Sequence, residues 1–122
     1  MEKIKSFADL NSWKEGHKLV LLIYKFTDNF PKEEIFGLTN QIRRTTVSIT
    51  SNIAEGFSRA SIKEKMQFYY ISLSSLTEVQ NQLIIARDVK YINSAIFNQL
   101  AEQTIIVSKL INGLIKKCKS YT

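Results

Sequence analysis

Five polar residues recur at helical spacing in the middle of this chain. Arg44, Ser48, Asn52, Glu55 and Arg59 are four, four, three and four residues apart, so a helix would place them on one stripe. Glu55 and Arg59 would form an i,i+4 ion pair if the helix continues past Gly56. A stripe with two guanidinium groups could hold a phosphate or a partner chain. The same groups could instead form a buried or interfacial network that fixes helix register and subunit pairing. A second group of cations follows, in which Arg59, Lys63 and Lys65 cluster about a turn. With Arg43 and Arg44 they could contact phosphates, and Lys116, Lys117 and Lys119 add a basic C-terminal run. Such contacts release counterions and weaken steeply with salt. A solvated basic face with no ligand is the competing reading.

Other chemistry finds little support. The one histidine, His17, reads as a packing or surface residue beside Trp13 and Leu21. No Glu-x-x-His pair occurs, which removes the di-iron carboxylate type of helical bundle. Cys118 lies next to Lys116, Lys117 and Lys119, which would favour a thiolate. It is also four residues from the end of the chain, where ordering is poor, and reads as incidental. Gly37 and Gly56 are isolated, so no glycine-rich phosphate loop is present. These residues imply no enzyme, no metal and no cofactor.

The elements that must position the cations follow from composition and periodicity. A length of 122 residues suits one domain. With 44% hydrophobic and 23% charged residues the chain is expected to be globular. One proline and four glycines leave little loop-forming material, so long elements with brief turns are expected. A lone cysteine permits no internal disulfide. The opening Met1-Glu2-Lys3-Ile4-Lys5 lacks the apolar run of a secretory signal, and no apolar stretch approaches about 18 residues. A cytoplasmic protein without a membrane span is expected. The formal net charge of +6 favours polyanionic partners.

Four helices are predicted, at roughly 10–29, 34–56, 62–88 and 94–119. Ser12-Trp13-Lys14-Glu15 has the form of a capping box, with Asp9 an alternative cap one turn earlier. Asn29-Phe30-Pro31 ends the first helix. Pro31-Lys32-Glu33-Glu34 reads as the first turn of the second, with Gly56 as its stop. Ser61-Ile62-Lys63-Glu64 is the clearest capping box, and Asn93 can cap the fourth helix. Short connections imply an all-α, up-down-up-down four-helix bundle. The first helix is apolar around most of its girth and the third also carries an apolar surplus, so self-association is expected. A ring of identical subunits would repeat the basic patch and raise avidity.

Several blocks occur in order: Phe7-Ala8-Asp9-Leu10-x-x-Trp13, Phe30-Pro31-Lys32-Glu33-Glu34, Gly37-Leu38-x-x-Gln41-Ile42-Arg43-Arg44, Val47-Ser48-Ile49 and Ser51-Asn52-Ile53-Ala54-Glu55-Gly56-Phe57. The set resembles the family of four-helix bundles encoded in intervening sequences of bacterial 23S ribosomal RNA genes, over roughly Phe7 to Ile115. That resemblance implies a bundle that is commonly a homopentamer, with Gln41, Arg43, Arg44, Ser48, Asn52, Glu55, Gly56 and Arg59 as signature positions. It also implies association with RNA or DNA, or docking to a partner enzyme such as the reverse transcriptase of a diversity-generating retroelement. Three positions depart from the family pattern: Thr50 in place of a common proline, Ser58 in place of glycine, and Val89-Lys90 in place of Leu-Gly. Thr50 is expected to straighten the second helix, and Ser58 to weaken a left-handed helix stop.

Overall fold

A computed structural model of the chain describes residues 3–122; Met1 and Glu2, at the start of the stretch read for a signal, lie outside the described residues. Four helices are present, α1 (Asn11–Thr27), α2 (Leu38–Ser58), α3 (Ile62–Asp88) and α4 (Ser94–Lys119), with short 3-10 turns at Phe7–Asp9 and Lys32–Glu34. No strand occurs among the described residues. Each helix packs on its neighbours in sequence and α1 closes against α4, giving the up-down-up-down bundle. Among the described residues no helix is long and apolar enough to cross a membrane.

Buried positions explain the packing. In α2 a seam of Thr39, Ile42, Thr46, Ile49, Ile53 and Gly56 is buried, with Thr50 beside it; in α3 a seam of Tyr69, Ser72, Leu76, Val79, Leu83 and Ala86 is buried, with Ser75 beside it. Both sets alternate steps of three and four, the seam that lets long helices interdigitate side by side. Several seam residues are small or hydroxylic. Thr27 and Thr46 donate to the carbonyls of Ile23 and Ile42, both at 2.6 Å, so these buried hydroxyls are satisfied within their own helices. Ser72 crosses instead to the Ile49 carbonyl at 2.8 Å, tying α3 to α2.

Helix boundaries depart from expectation in three places. Ser12 does not cap α1: it is buried inside the helix, and its hydroxyl has no hydrogen-bond partner. The reciprocal capping box forms earlier, where Ser6 accepts from Ala8 N–H and the Asp9 carboxylate accepts from Lys5 and Ser6 N–H. Those N–H groups hold the Asp9 carboxyl below the usual carboxylate range. The second helix does not begin at Glu34. Residues Lys32–Glu34 form a separate turn, the chain breaks at Gly37 (φ −110°, ψ −120°), and the Glu34 side chain reaches across to accept from Leu38 N–H at 3.1 Å. Nor does Gly56 stop α2, which continues to Ser58 with Arg59 extended at its end. A Cβ on Gly56 would lie 2.6 Å from the Tyr69 ring, so this glycine permits close approach of α3. The expected left-handed stop at Ser58 is absent; Ser58 is helical and donates to the Glu55 carbonyl. Helix α2 runs unbroken through Thr50, whose methyl faces Gly16 of α1.

Candidate nucleic-acid interface

Alternating helix direction brings particular termini to the same end of the bundle. At one end meet the N-terminal segment, the α2–α3 turn and the last turns of α4. Lys116, Lys117 and Lys119 are exposed there in the final turn of α4, where cations suit the negative end of the helix dipole. Across the α2–α3 turn stand Arg59 and Lys63, both exposed. Lys3 and Lys5 join them, because Ile4 between them lines one cavity with Lys117 and Tyr121. These two lysines precede the first helix and carry no periodic signal, so sequence reasoning passed over them. The local acids among the described residues are Asp9, held by backbone N–H groups, Glu55, paired with Arg59 at 3.1 Å, and Glu64, exposed beside Lys63 in the first turn of α3. The resulting end surface is strongly cationic.

Not every predicted cation belongs to it. Lys65 is half-buried and donates to the Phe57 and Gly56 carbonyls at 2.7 and 3.3 Å, neutralising the C-terminal end of α2. Arg43 lies sixteen residues before Arg59, about 24 Å along the helix at 1.5 Å per residue. Its Nε donates to Thr27 Oγ1 at 2.8 Å and its guanidinium covers the Tyr24 ring at 4.6 Å. Arg43 therefore joins α2 to α1, while neighbouring Arg44 is exposed. The structure splits the expected patch in two.

The polar stripe on α2 also divides. Ser48 shares a hydrogen bond with Ser75 at 2.9 Å, and Asn52 donates to the Ser48 carbonyl and hydroxyl at 2.8 and 3.0 Å. Gln82 extends this α2–α3 seam by donating to Thr45 at 3.3 Å. Gln41 is exposed, and its carbonyl accepts from Thr45. Ser48 and Asn52 thus set register, whereas Arg44, Glu55 and Arg59 face outward.

Of two other candidates, His17 lies where expected and Cys118 does not. His17 is exposed and stacks on Trp13 with ring centres 4.7 Å apart. Cys118 is not on a disordered end: α4 stays helical to Lys119, and the thiol is buried in the core. Among the described residues no group of three or more His, Cys, Asp or Glu could hold a metal ion.

These features define a class: a four-helix bundle with a register-setting polar seam and one cationic end. The sequence matches the profile of the 23S rRNA-intervening sequence protein family over residues 8–113, and the chain belongs to that family. A similar crystal structure is that of a protein of unknown function from the S23 ribosomal protein family of Bacteroides thetaiotaomicron. It has a TM-score of 0.78 at 19% identity, with 86% of this chain and 95% of that chain covered. At that identity the likeness concerns the fold. No curated protein matches the sequence.

Proposed function

We propose that this protein is a non-enzymatic, self-associating bundle that engages structured RNA, alone or within an RNA–protein complex, through its cationic end. The observation that carries this reading is the convergence of Lys3, Lys5, Lys63, Lys116, Lys117 and Lys119 on one end, where these six lysines outnumber the local acids and, of the cations there, only Arg59 is ion-paired among the described residues. Lysines free of structural partners are the ones able to replace counterions on a phosphate backbone. A gel shift with a structured RNA across a salt series tests it. Retardation that falls steeply with salt supports the reading, and none at low salt overturns it.

Self-association is supported by apolar surface left open on the single chain. Leu21 and Tyr24 on α1 are 58% and 45% exposed, and Ile84 on α3 and Ile105 on α4 are 43% and 50% exposed. Ile84 and Ile105 line one apolar surface, exposed apolar surface of this kind marks association sites, and the family resemblance favours a ring of five. Light scattering at micromolar concentration should show an oligomer, with Leu21→Glu shifting it toward monomer. A wild-type monomer would remove this part of the proposal.

A second reading, a scaffold that docks a partner enzyme such as a reverse transcriptase, is favoured by one feature. At the end opposite the lysines, Phe36 is 91% exposed and neighbouring Ile35 58%. A Phe36→Asp variant that binds RNA normally but loses a co-purifying protein would support this reading.

A further inference from the structure

We propose that an apolar cavity at the cationic end binds a small amphipathic monoanion, a carboxylate carried on an apolar body. The cavity has a volume of about 350 Å³ and lies where the N-terminal segment, the α2–α3 turn and the end of α4 meet. Pockets that enclose small ligands run from about 300 to 1,000 Å³. Leu10, Phe57, Ile62 and Leu114 make its walls apolar, and among the described residues no carboxylate lines it.

Two polar features select the ligand. Lys117 is exposed at the cavity and forms no salt bridge among the described residues. The second lysine, Lys65, is already held by the Phe57 and Gly56 carbonyls. Tyr69 lines the cavity with only 4% of its surface exposed, and its hydroxyl makes no hydrogen bond among the described residues. Burial, with a smaller contribution from nearby Cys118, pushes this phenol up to about 12, so it stays protonated and able to donate. The hydroxyl, without a partner among the described residues, is not one of the fully buried unpartnered oxygens, so it keeps access to the cavity, where a ligand oxygen could replace water. An uncharged hydrocarbon would leave both Lys117 and Tyr69 unused. An organic cation would be repelled by Lys117.

Cys118 provides the measurement, since it lines the same cavity and is the chain's only cysteine. The rate of its alkylation by uncharged N-ethylmaleimide is followed with decanoate, decanol or decyltrimethylammonium, each below its micellar concentration. No nucleic acid is present, so the outcome is independent of the RNA reading. Decanoate should slow alkylation saturably, at about tenfold lower concentration than decanol, the ratio expected for one charge-assisted hydrogen bond. Lys117→Ala should erase that tenfold advantage without affecting decanol, and Lys109→Ala, remote on α4, should change nothing. Leu114→Trp should fill the cavity and abolish protection; should it unfold, Lys117→Ala on the exposed surface still decides. Equal protection by all three probes, protection insensitive to Lys117→Ala, or alkylation that is unchanged or faster with decanoate would each overturn the proposal.

Discussion

At the end of the bundle where α1 turns into α2, several charged side chains are tied down, although Lys32, Arg44 and Lys90 there are exposed and enter no salt bridge among the described residues. Arg43 bridges to Thr27 and Tyr24, Glu34 accepts from Leu38 N–H and from the Tyr91 hydroxyl at 2.7 Å, and Arg87 pairs with Asp88 while covering the Phe97 ring. At the opposite end Lys63, Lys116, Lys117 and Lys119 are exposed and enter no salt bridge among the described residues. Both ends are rich in cations, so charge alone does not distinguish them. The difference is that one set closes turns and joins helices, while the other is free to exchange counterions for a ligand.

The widest separation between the ends should appear in RNA binding. Replacing Lys116, Lys117 and Lys119 together by Glu should lower the salt slope by about three, roughly one for each phosphate no longer neutralised. The thermal midpoint should fall modestly, since each acid placed in the last turn of α4 gives up a dipole interaction of about 0.3–1 kcal/mol. Arg44→Ala, at the tied-down end, should leave the slope unaltered. Equal reductions in the two variants would dissolve the comparison.

Arg43→Ala should show the reverse pattern. It removes a charged hydrogen bond and a cation–π interaction between α1 and α2, and should destabilise the fold by about 1.5–3 kcal/mol. Urea unfolding would report that change, with RNA affinity per folded molecule unchanged. Arg43→Lys should not restore stability, because a point charge cannot reach Thr27 and cover Tyr24 together.

Glu34 makes the same end sensitive to acid. The Tyr91 hydroxyl first, and Leu38 N–H second, hold its carboxyl below the usual range, while the Tyr91 phenol is raised by the same bond. A lowered native pKa means the stabilisation is complete above the unfolded value, about 4.3, and fades as pH falls through the native one. Thermal melts of Glu34→Gln should lose that part of the acid dependence. An unchanged pH profile would show that the Glu34–Tyr91 tie contributes nothing in solution.

Sequence legibility followed the range of the interactions involved. Helices α3 and α4 matched their expected limits because local caps set them: Ser61 accepts from Glu64 N–H and Asn93 from Ile96 N–H. The start of α2 was misplaced because its cap comes from Glu34, beyond a break at Gly37 that proline and acid preferences do not reveal. Periodicity also left Tyr69 and Tyr70 interchangeable; packing against Gly56 buries Tyr69 and leaves Tyr70 44% exposed. The cations were all visible, but their grouping was not. Arg43 and Arg59 are near in sequence and about 24 Å apart along α2, while Lys117 and Ile4 come from opposite chain ends and line one cavity.

The smallest effect tests a single backbone angle at the tied-down end. Helix α3 ends in a Schellman arrangement, with Tyr91 N–H bonded to the Ala86 carbonyl at 2.8 Å and Lys90 N–H to the Arg87 carbonyl at 3.0 Å. That geometry needs a left-handed residue at Lys90, whose φ of 69° is the one positive value on a non-glycine among the described residues. The Cβ of lysine is unfavourable there, which explains why glycine is common at this position in the family pattern. Lys90→Gly should therefore stabilise the protein by about 0.5–1 kcal/mol, the strain relieved exceeding the extra backbone entropy lost on folding. RNA binding should be untouched, since Lys90 lies at the end away from the lysine cluster. A lower urea midpoint for the glycine variant would show that the Lys90 side chain makes an interaction stronger than the strain it carries.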